Sequence, residues 1–223
     1  MSGFLNLEFM AKYAPMYVTA AGLTVRIAFW GILFSLAVGL FCAAAQYYRI
    51  PVLRRIVGAY IEFSRNTPLL VQLFFLYFGL PKIGVVWSAE TCAVVGLTFL
   101  GGSYMAEAIR SGLESVDKIQ LESAASLGFS AGQTMAHIIL PQALAVSVPG
   151  IAANVIFLIK ETSVVSGIAL ADLMYVAKDL IGLYYETDEA LLMLVIAYLV
   201  ILLPISILAT LLERRMRYAG FGN

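Results

Sequence analysis

The sequence predicts an all-α integral membrane protein of about five transmembrane helices, with its N-terminus outside and its C-terminus inside. Three observations lead there. Of the 223 residues 61% are hydrophobic and only 13% charged, with mean hydropathy +0.91, a balance unlike that of a soluble globular domain. Five stretches, 20–45, 57–80, 89–112, 142–160 and 189–212, approach the roughly 20 apolar residues that a helix needs to cross the hydrocarbon core. Finally, Arg49, Arg54, Arg55, Arg110, Lys118, Arg214, Arg215 and Arg217 fall on one side of the resulting topology and only Lys12, Lys82, Lys160 and Lys178 on the other. The richer side is cytoplasmic by the positive-inside rule.

The same composition excludes several classes. Net charge is zero and no basic patch remains once the loop charges serve membrane orientation, so no nucleic-acid partner is expected. Cys42 and Cys92 sit in apolar runs without a paired Cys or His, which predicts buried, inert thiols rather than a disulfide or a metal site. Ala43-Ala44-Ala45 imitates a signal cleavage site, but the run before it begins late, lacks a basic start and is preceded by Glu8. The first apolar run is therefore expected to remain as a transmembrane helix, tilted or preceded by an interfacial turn near residues 13–19, with Arg26 snorkelling to the outer interface.

The second span is not clean hydrocarbon. Glu62, Arg65, Asn66, Thr67, Pro68 and Gln72 interrupt it, and such polarity must face other helices, water or a ligand. Pro68 predicts a broken helix, a common way to expose backbone groups at a binding site. Glu62 and Arg65, three residues apart, are expected to pair, leaving Asn66, Thr67 and Gln72 for a ligand. In the third span Gly96, Gly101, Gly102 and Ser103 favour close helix packing. Glu107 and Arg110 are expected to pair at its cytoplasmic end.

Residues 117–140 form the longest polar interruption that still reads as helical. Asp117 with Gln120 suits a helix start, Leu121, Ala124, Ala125 and Gly128 share one narrow face, and Gly128 suits a C-terminal cap. Ser130 with Gln133 has capping-box form and predicts a second short helix ending at Pro141. The alternative reading is an amphipathic loop on the bilayer surface. The fourth span contains Asn154 and ends at Lys160, with Pro149-Gly150 predicting a kink. Residues 161–187 are too polar for a sixth span and predict a re-entrant outer helix, after which the last span ends at Glu213-Arg214-Arg215.

Glu122-Ser123-Ala124-Ala125, Gly128 and Ile138-Ile139-Leu140-Pro141 resemble the EAA motif of ABC importer membrane subunits. Ser123 stands where that motif has its first alanine, a small-for-small change. The run from Arg65-Asn66-Thr67-Pro68 to Gly79-Leu80-Pro81, together with Lys160-Glu161-Thr162-Ser163 and Tyr104, Glu107 and Arg110, resembles the polar amino acid branch of the same family. The resemblance covers roughly residues 15–215. It implies one type I permease transmembrane domain over 1–223 in a bacterial cytoplasmic (inner) membrane, with residues 117–140 as the segment that docks on an ATPase. Glu122, Ala124, Ala125, Leu127, Gly128 and Pro141 would carry that coupling. Partners implied are a cytoplasmic ABC ATPase subunit, a second permease subunit, an extracytoplasmic substrate-binding protein and membrane lipid, with an amino acid as cargo.

No phosphate-binding loop is evident, since Gly128–Thr134 lacks the G-x-x-x-x-G-K-[ST] order. His137, the single histidine, has no nucleophile beside it in sequence, so the chain itself is not expected to be an enzyme or to hold a cofactor; ATP and Mg would sit on the partner ATPase. For the cargo, Glu161 is expected to meet an ammonium or basic group, with Asn66, Thr67, Gln72, Asn154, Thr162 and Ser163 offering neutral hydrogen bonds. Pairing of Glu161 with Lys160 is the plainer alternative. The rival class is a stand-alone secondary transporter or channel for small polar solutes, which would use Glu62 and Arg65 as an ion path.

Overall fold

The structure is a computed structural model that describes residues 5–220, with side chains described through residue 216. Among these residues every regular element is helical. Helix α1 (Leu7–Tyr47) is followed by α2 (Pro51–Arg65) and α3 (Leu69–Phe74), which continues through a π turn (Phe75–Gly79) and a 3-10 turn (Leu80–Ile83). Next come α4 (Ala89–Glu114), α5 (Lys118–Ser126) and α6 (Ala131–Thr134); a second π turn (Met135–Ile139) leads into α7 (Leu140–Glu161). A 3-10 stretch (Thr162–Ile168), α8 (Leu173–Tyr184) and α9 (Thr187–Gly220) complete the chain.

Among the described residues four helices have the length and apolarity to cross a membrane: Leu7–Tyr47, Ala89–Glu114, the continuous run Ala131–Ile168, and Thr187–Met216. The run 57–80, expected as a span broken at Pro68, does break there into α2 and α3: Pro68 supplies no N–H and caps α3 with extended geometry, φ −59° and ψ 139°. The interfacial turn expected near residues 13–19 is absent. Helix α1 runs unbroken through Pro15 for 41 residues, about 60 Å of helix.

The described residues fall into two compact units. The first takes residues 5–33, 67–98 and 156–205. Its core joins the start of α1 to α8 and α9: Phe9, Tyr13, Tyr17 and Ala20 pack with Leu173, Val176, Ala177, Leu180, Ala190, Met193 and Leu194. Tyr17 donates its hydroxyl to the Ala190 carbonyl at 2.7 Å, and the Tyr13 and Tyr184 rings lie 5.2 Å apart. This packing gives the first turns of α1, from Leu7 onward, a neighbour to hold. Also in this unit Arg26 is ion-paired at 2.7 Å with Glu90 in the first turn of α4, a partner beyond the interfacial role expected of it. A carboxylate within reach is the better solution for a guanidinium on an apolar helix.

The second unit takes residues 34–66, 99–155 and 206–220. Cys42 and Ala45 of α1, Val57 and Ile61 of α2 and Ala106 of α4 form one cluster. Val116, Ile139 and Ala143, with Tyr47, Leu113, Leu121, Met135 and Ile138 around them, form another. Helices α4 and α7 touch backbone to backbone here. A Cβ on Gly112 would collide with the Ser147 hydroxyl and the Ala143 carbonyl, so only glycine permits that approach. Cys42 and Cys92 are both buried and unpaired.

Outward, α9 presents Leu191, Val195, Leu199, Leu203, Leu208 and Leu212 as exposed apolar side chains, and only 11% of its most apolar window is buried. In hydrocarbon such a face has no burial to gain from protein, so exposure at this spacing is the composition of a lipid-facing helix.

Candidate functional site

The segment between α4 and α7 is built from short, strong local signals. Asp117 caps α5, its side chain accepting from Ile119 N–H at 3.0 Å. Helix α5 ends as the glycine predicts: Gly128 has φ 81°, a left-handed conformation that costs any residue with a Cβ, and Phe129 N–H returns to the Ala124 carbonyl. Two residues on, Ser130 accepts from Gln133 N–H at 3.3 Å and Gln133 accepts from Ser130 N–H at 2.9 Å, the reciprocal capping box expected from the sequence. The bend is therefore fixed by caps on both sides.

Of the narrow face Leu121 and Ala124 turn inward, while Ala125 and Gly128 stay exposed. One expectation for this segment is corrected: the second helix does not stop at Pro141. The π turn Met135–Ile139, closed by Leu140 N–H on the Met135 carbonyl, displaces the carbonyls with which the proline ring would clash, and the chain enters α7 with Pro141 in its first turn. The same device precedes Leu80-Pro81, where Leu80 N–H bonds the Phe75 carbonyl. What this segment offers a partner is an exposed apolar knuckle: Ile119 is 68% and Leu127 78% exposed, beside Glu122 and Ser123. Gln142 donates to Gln120 at 2.5 Å and ties α5 to the start of α7.

The polar residues divide between the units. In the first unit Thr67 and Gln72 sit where α3 begins, and the Gln72 amide donates to the Thr67 carbonyl at 3.1 Å, satisfying a group that the helix break leaves over. Helix α3 packs on the 3-10 stretch, where Gly167 lies against Leu70 and Phe74. Glu161 is the last residue of α7 and half-buried. Thr162 is fully buried and donates to the Ile159 carbonyl at 2.7 Å, and the Tyr198 hydroxyl lies beside Thr162 and Ser163. Sequence reasoning missed Asp172. It is fully buried, caps α8 by accepting from Tyr175 N–H at 2.9 Å, and leaves its second oxygen without a hydrogen-bond donor. Burial raises its pKa to about 6 against the lowering effect of the Tyr175 and Met174 N–H groups and Lys178.

In the second unit the charge pairs differ from those expected. Arg65 is ion-paired with Glu107, not with Glu62, and its guanidinium lies 5.0 Å over the Tyr104 ring. Arg110 pairs with Glu114 at 3.0 Å. Spacing along one helix suggested neighbours, but Arg65 ends α2 and so reaches across to α4, while Asn66 turns back to donate to the Glu62 carbonyl at 2.7 Å. Asn154 donates to the Tyr104 carbonyl at 3.1 Å, and Tyr60 and Ser64 both donate to Phe99 carbonyl, at 2.6 and 2.9 Å. A separate concavity of about 640 Å³ is lined by Leu5–Leu7 and Tyr185–Glu189, and none of the expected site residues lines it.

Comparison with known proteins bears on this arrangement. Residues 11–218 match the family described as binding-protein-dependent transport system inner membrane component. The chain is 36% identical over 196 residues to the probable amino-acid ABC transporter permease protein PatM of Vibrio harveyi, covering 86% of this chain and 88% of that protein. It is 34% identical to the probable amino-acid ABC transporter permease protein YckA of Bacillus subtilis, covering 94% and 93%. Among solved structures, a crystal structure of an amino acid ABC transporter with histidines aligns with TM-score 0.87 at 34% identity over 95% of this chain and 99% of that one. An inward-facing MetNI methionine ABC transporter shares the fold, with TM-score 0.74 at 19% identity over 92% and 98%. The family match spans nearly the whole chain and takes in both the capped elbow and the paired charges, and the chain belongs to the inner membrane components of binding-protein-dependent transport systems.

Proposed function

We propose that this chain is the permease subunit of an ATP-driven amino acid importer and that residues 117–140 receive force from a separate ATPase. The observation that carries the reading is the elbow itself: a bend capped on both sides at Gly128 and Ser130, presenting Ile119 and Leu127 to the outside of the fold. A lone amphipathic surface loop has no need of a rigid bend, whereas a lever does. Relatives at 36% and 34% identity that are named amino-acid permeases support the cargo class.

On this reading the whole chain is one transmembrane domain with five crossings, N-terminus out and C-terminus in, the broken run from α2 to the 3-10 turn at Ile83 supplying the second crossing. The eight-to-four distribution of Lys and Arg supports the orientation. The 3-10 stretch and α8, twelve residues long and too short to cross, form a re-entrant outer layer. A second permease subunit and an extracytoplasmic binding protein complete the assembly in a bacterial cytoplasmic membrane, with ATP and Mg held by the ATPase. Glu161 provides negative charge to a basic or ammonium group of the cargo. Thr67, Gln72, Thr162 and Ser163 of the same unit are its candidates for neutral hydrogen bonds to the cargo, and Asn66 and Asn154 are the candidates within the second unit.

Copurification tests the assignment. Tagged permease extracted in mild detergent should bring down a stoichiometric nucleotide-hydrolysing subunit, and truncating Leu127 to Ala should weaken that association about tenfold or more, the scale of an interface anchor. A permease that transports a polar solute with no such subunit present would establish the secondary-transporter reading instead.

A further inference from the structure

The charged pair in the second unit is better suited to exchange partners than to lock helices. Arg65 stands at the C-terminal end of α2, where the helix stops before Pro68, and Glu107 lies seven residues inside the end of α4. Both side chains remain 36% exposed. Partial exposure spares the pair part of the desolvation cost of burial and leaves one side open to a third group. The pair also has an oriented floor, because the guanidinium lies over Tyr104 and the backbone of Tyr104 is held by the Asn154 amide. Neighbouring polar groups are committed elsewhere: Ser64 and Tyr60 to the Phe99 carbonyl, Asn66 to the Glu62 carbonyl, and Arg110 to Glu114. Arg65 and Glu107 are the two opposite charges of this cluster that face one another across helices, while the exposed Glu62 carboxylate, among the described residues, meets only the Asn66 amide at 3.4 Å.

We propose that Arg65 and Glu107 form a zwitterion clamp: a ligand's α-carboxylate takes the Arg65 guanidinium while its α-ammonium takes the Glu107 carboxylate. This rests on the amino acid reading above and puts recognition of the cargo's α-groups on Arg65 and Glu107, within the second unit, rather than on Glu161. Charge balance is the reason for the pairing. With no ligand, each residue neutralises the other. With a zwitterion between them, four charges alternate and each keeps an opposite neighbour, so loading adds no net charge to an apolar surrounding. The fork of Arg65 suits a planar carboxylate, and its five N–H donors exceed what one carboxylate can accept. A ligand bearing only a carboxylate would strand Glu107, and one bearing only an amine would strand Arg65. The clamp therefore selects molecules having both groups on one carbon, whatever their side chain.

The test uses the full complex of permease and ATPase subunit in lipid nanodiscs. It is incubated with an equimolar mixture of the twenty protein L-amino acids, washed and denatured, and the released amino acids are identified by mass spectrometry. The amino acid retained is then titrated alone against its N-acetyl and carboxamide derivatives. Wild-type complex should retain an amino acid and prefer it to both derivatives by at least about 30-fold, the scale of losing one partner of a desolvated charge pair. Glu107→Gln should lose the preference over the N-acetyl compound, and Arg65→Gln the preference over the carboxamide. The charge-exchanged double variant, R65E with E107R, keeps an ion pair for folding and should lose binding at least about 30-fold.

If the wild-type complex binds an amino acid but both single variants and the exchanged pair hold its affinity within twofold, the clamp is wrong and the importer reading stands. Retention of none of the twenty by an assembled, ATP-hydrolysing wild-type complex overturns the clamp together with the amino acid reading.

Discussion

At the scale of single residues, the informative groups are charges enclosed by apolar sequence. Asp172 was not visible as special in the sequence, where it is one more acidic residue in a polar outer stretch; only folding shows it fully buried with one oxygen undonated. Its raised pKa has a signed consequence. The unfolded chain releases the Asp172 proton near pH 3.8 and the folded one near 6, so between these values the folded state binds more protons and its stability falls as pH rises. The loss is of order 3 kcal/mol and complete above about pH 6. Thermal denaturation of the detergent-solubilised protein should show the variant Asp172→Asn, which keeps an oxygen to cap Tyr175, lacking that decline. Glu161 is a separate matter, readable from the motif around it but not in its role. Substrate-stimulated ATP hydrolysis in Glu161→Gln should be depressed about tenfold or more if it meets a charged group of the cargo, and a wild-type response would remove it from the site. Charge pairs as a class were poorly legible. Spacing of three residues made Glu62 with Arg65 and Glu107 with Arg110 look obvious, yet helix ends and neighbouring helices offered Arg65 a carboxylate on α4 and Arg110 one at Glu114.

At the scale of elements, caps were legible and continuations were not. Asp117, Gly128 and the Ser130–Gln133 box announce themselves because each depends on residues within three positions of the other. The π turns before Leu80-Pro81 and Leu140-Pro141 have no such local signature, so a proline that should have ended a helix instead sits in the next one. Two outcomes follow for the elements that carry motion. Gly128→Val places a β-branched residue at φ 81°, a cost of roughly 2 kcal/mol confined to the bend. Insertion and ATP hydrolysis by the assembled complex should then persist within twofold, while uptake in proteoliposomes drops at least about tenfold. Gly112→Leu acts on the joint above the bend, where Ser147 and Ala143 leave no room for a side chain. Forcing α4 from α7 should destabilise by about 3 kcal/mol and lower Tm by about 6 °C or more, measured by thermal shift in detergent.

At the scale of the whole molecule, composition was enough to class the chain as a helical membrane protein, and the resemblance carried by the residues around Glu122, Arg65 and Glu161 pointed to the family that matches over residues 11–218. The spans themselves were legible in part: Pro68 announced the break within 57–80, whereas the first helix, expected over 20–45, begins at Leu7, where its early turns pack on α8 and α9. The central claim is that the elbow meets a nucleotide-hydrolysing subunit on the cytoplasmic side. Leu127, 78% exposed at its tip, is the position to ask, and the natural thiols Cys42 and Cys92 are buried and will stay silent. A Leu127→Cys permease, assembled with its ATPase in intact cells, should resist membrane-impermeant maleimide added outside and crosslink to the ATPase subunit once inverted vesicles are treated with a short bifunctional reagent. Labelling of that cysteine from outside, or its failure to reach any ATPase subunit in a complex that transports, would contradict the account.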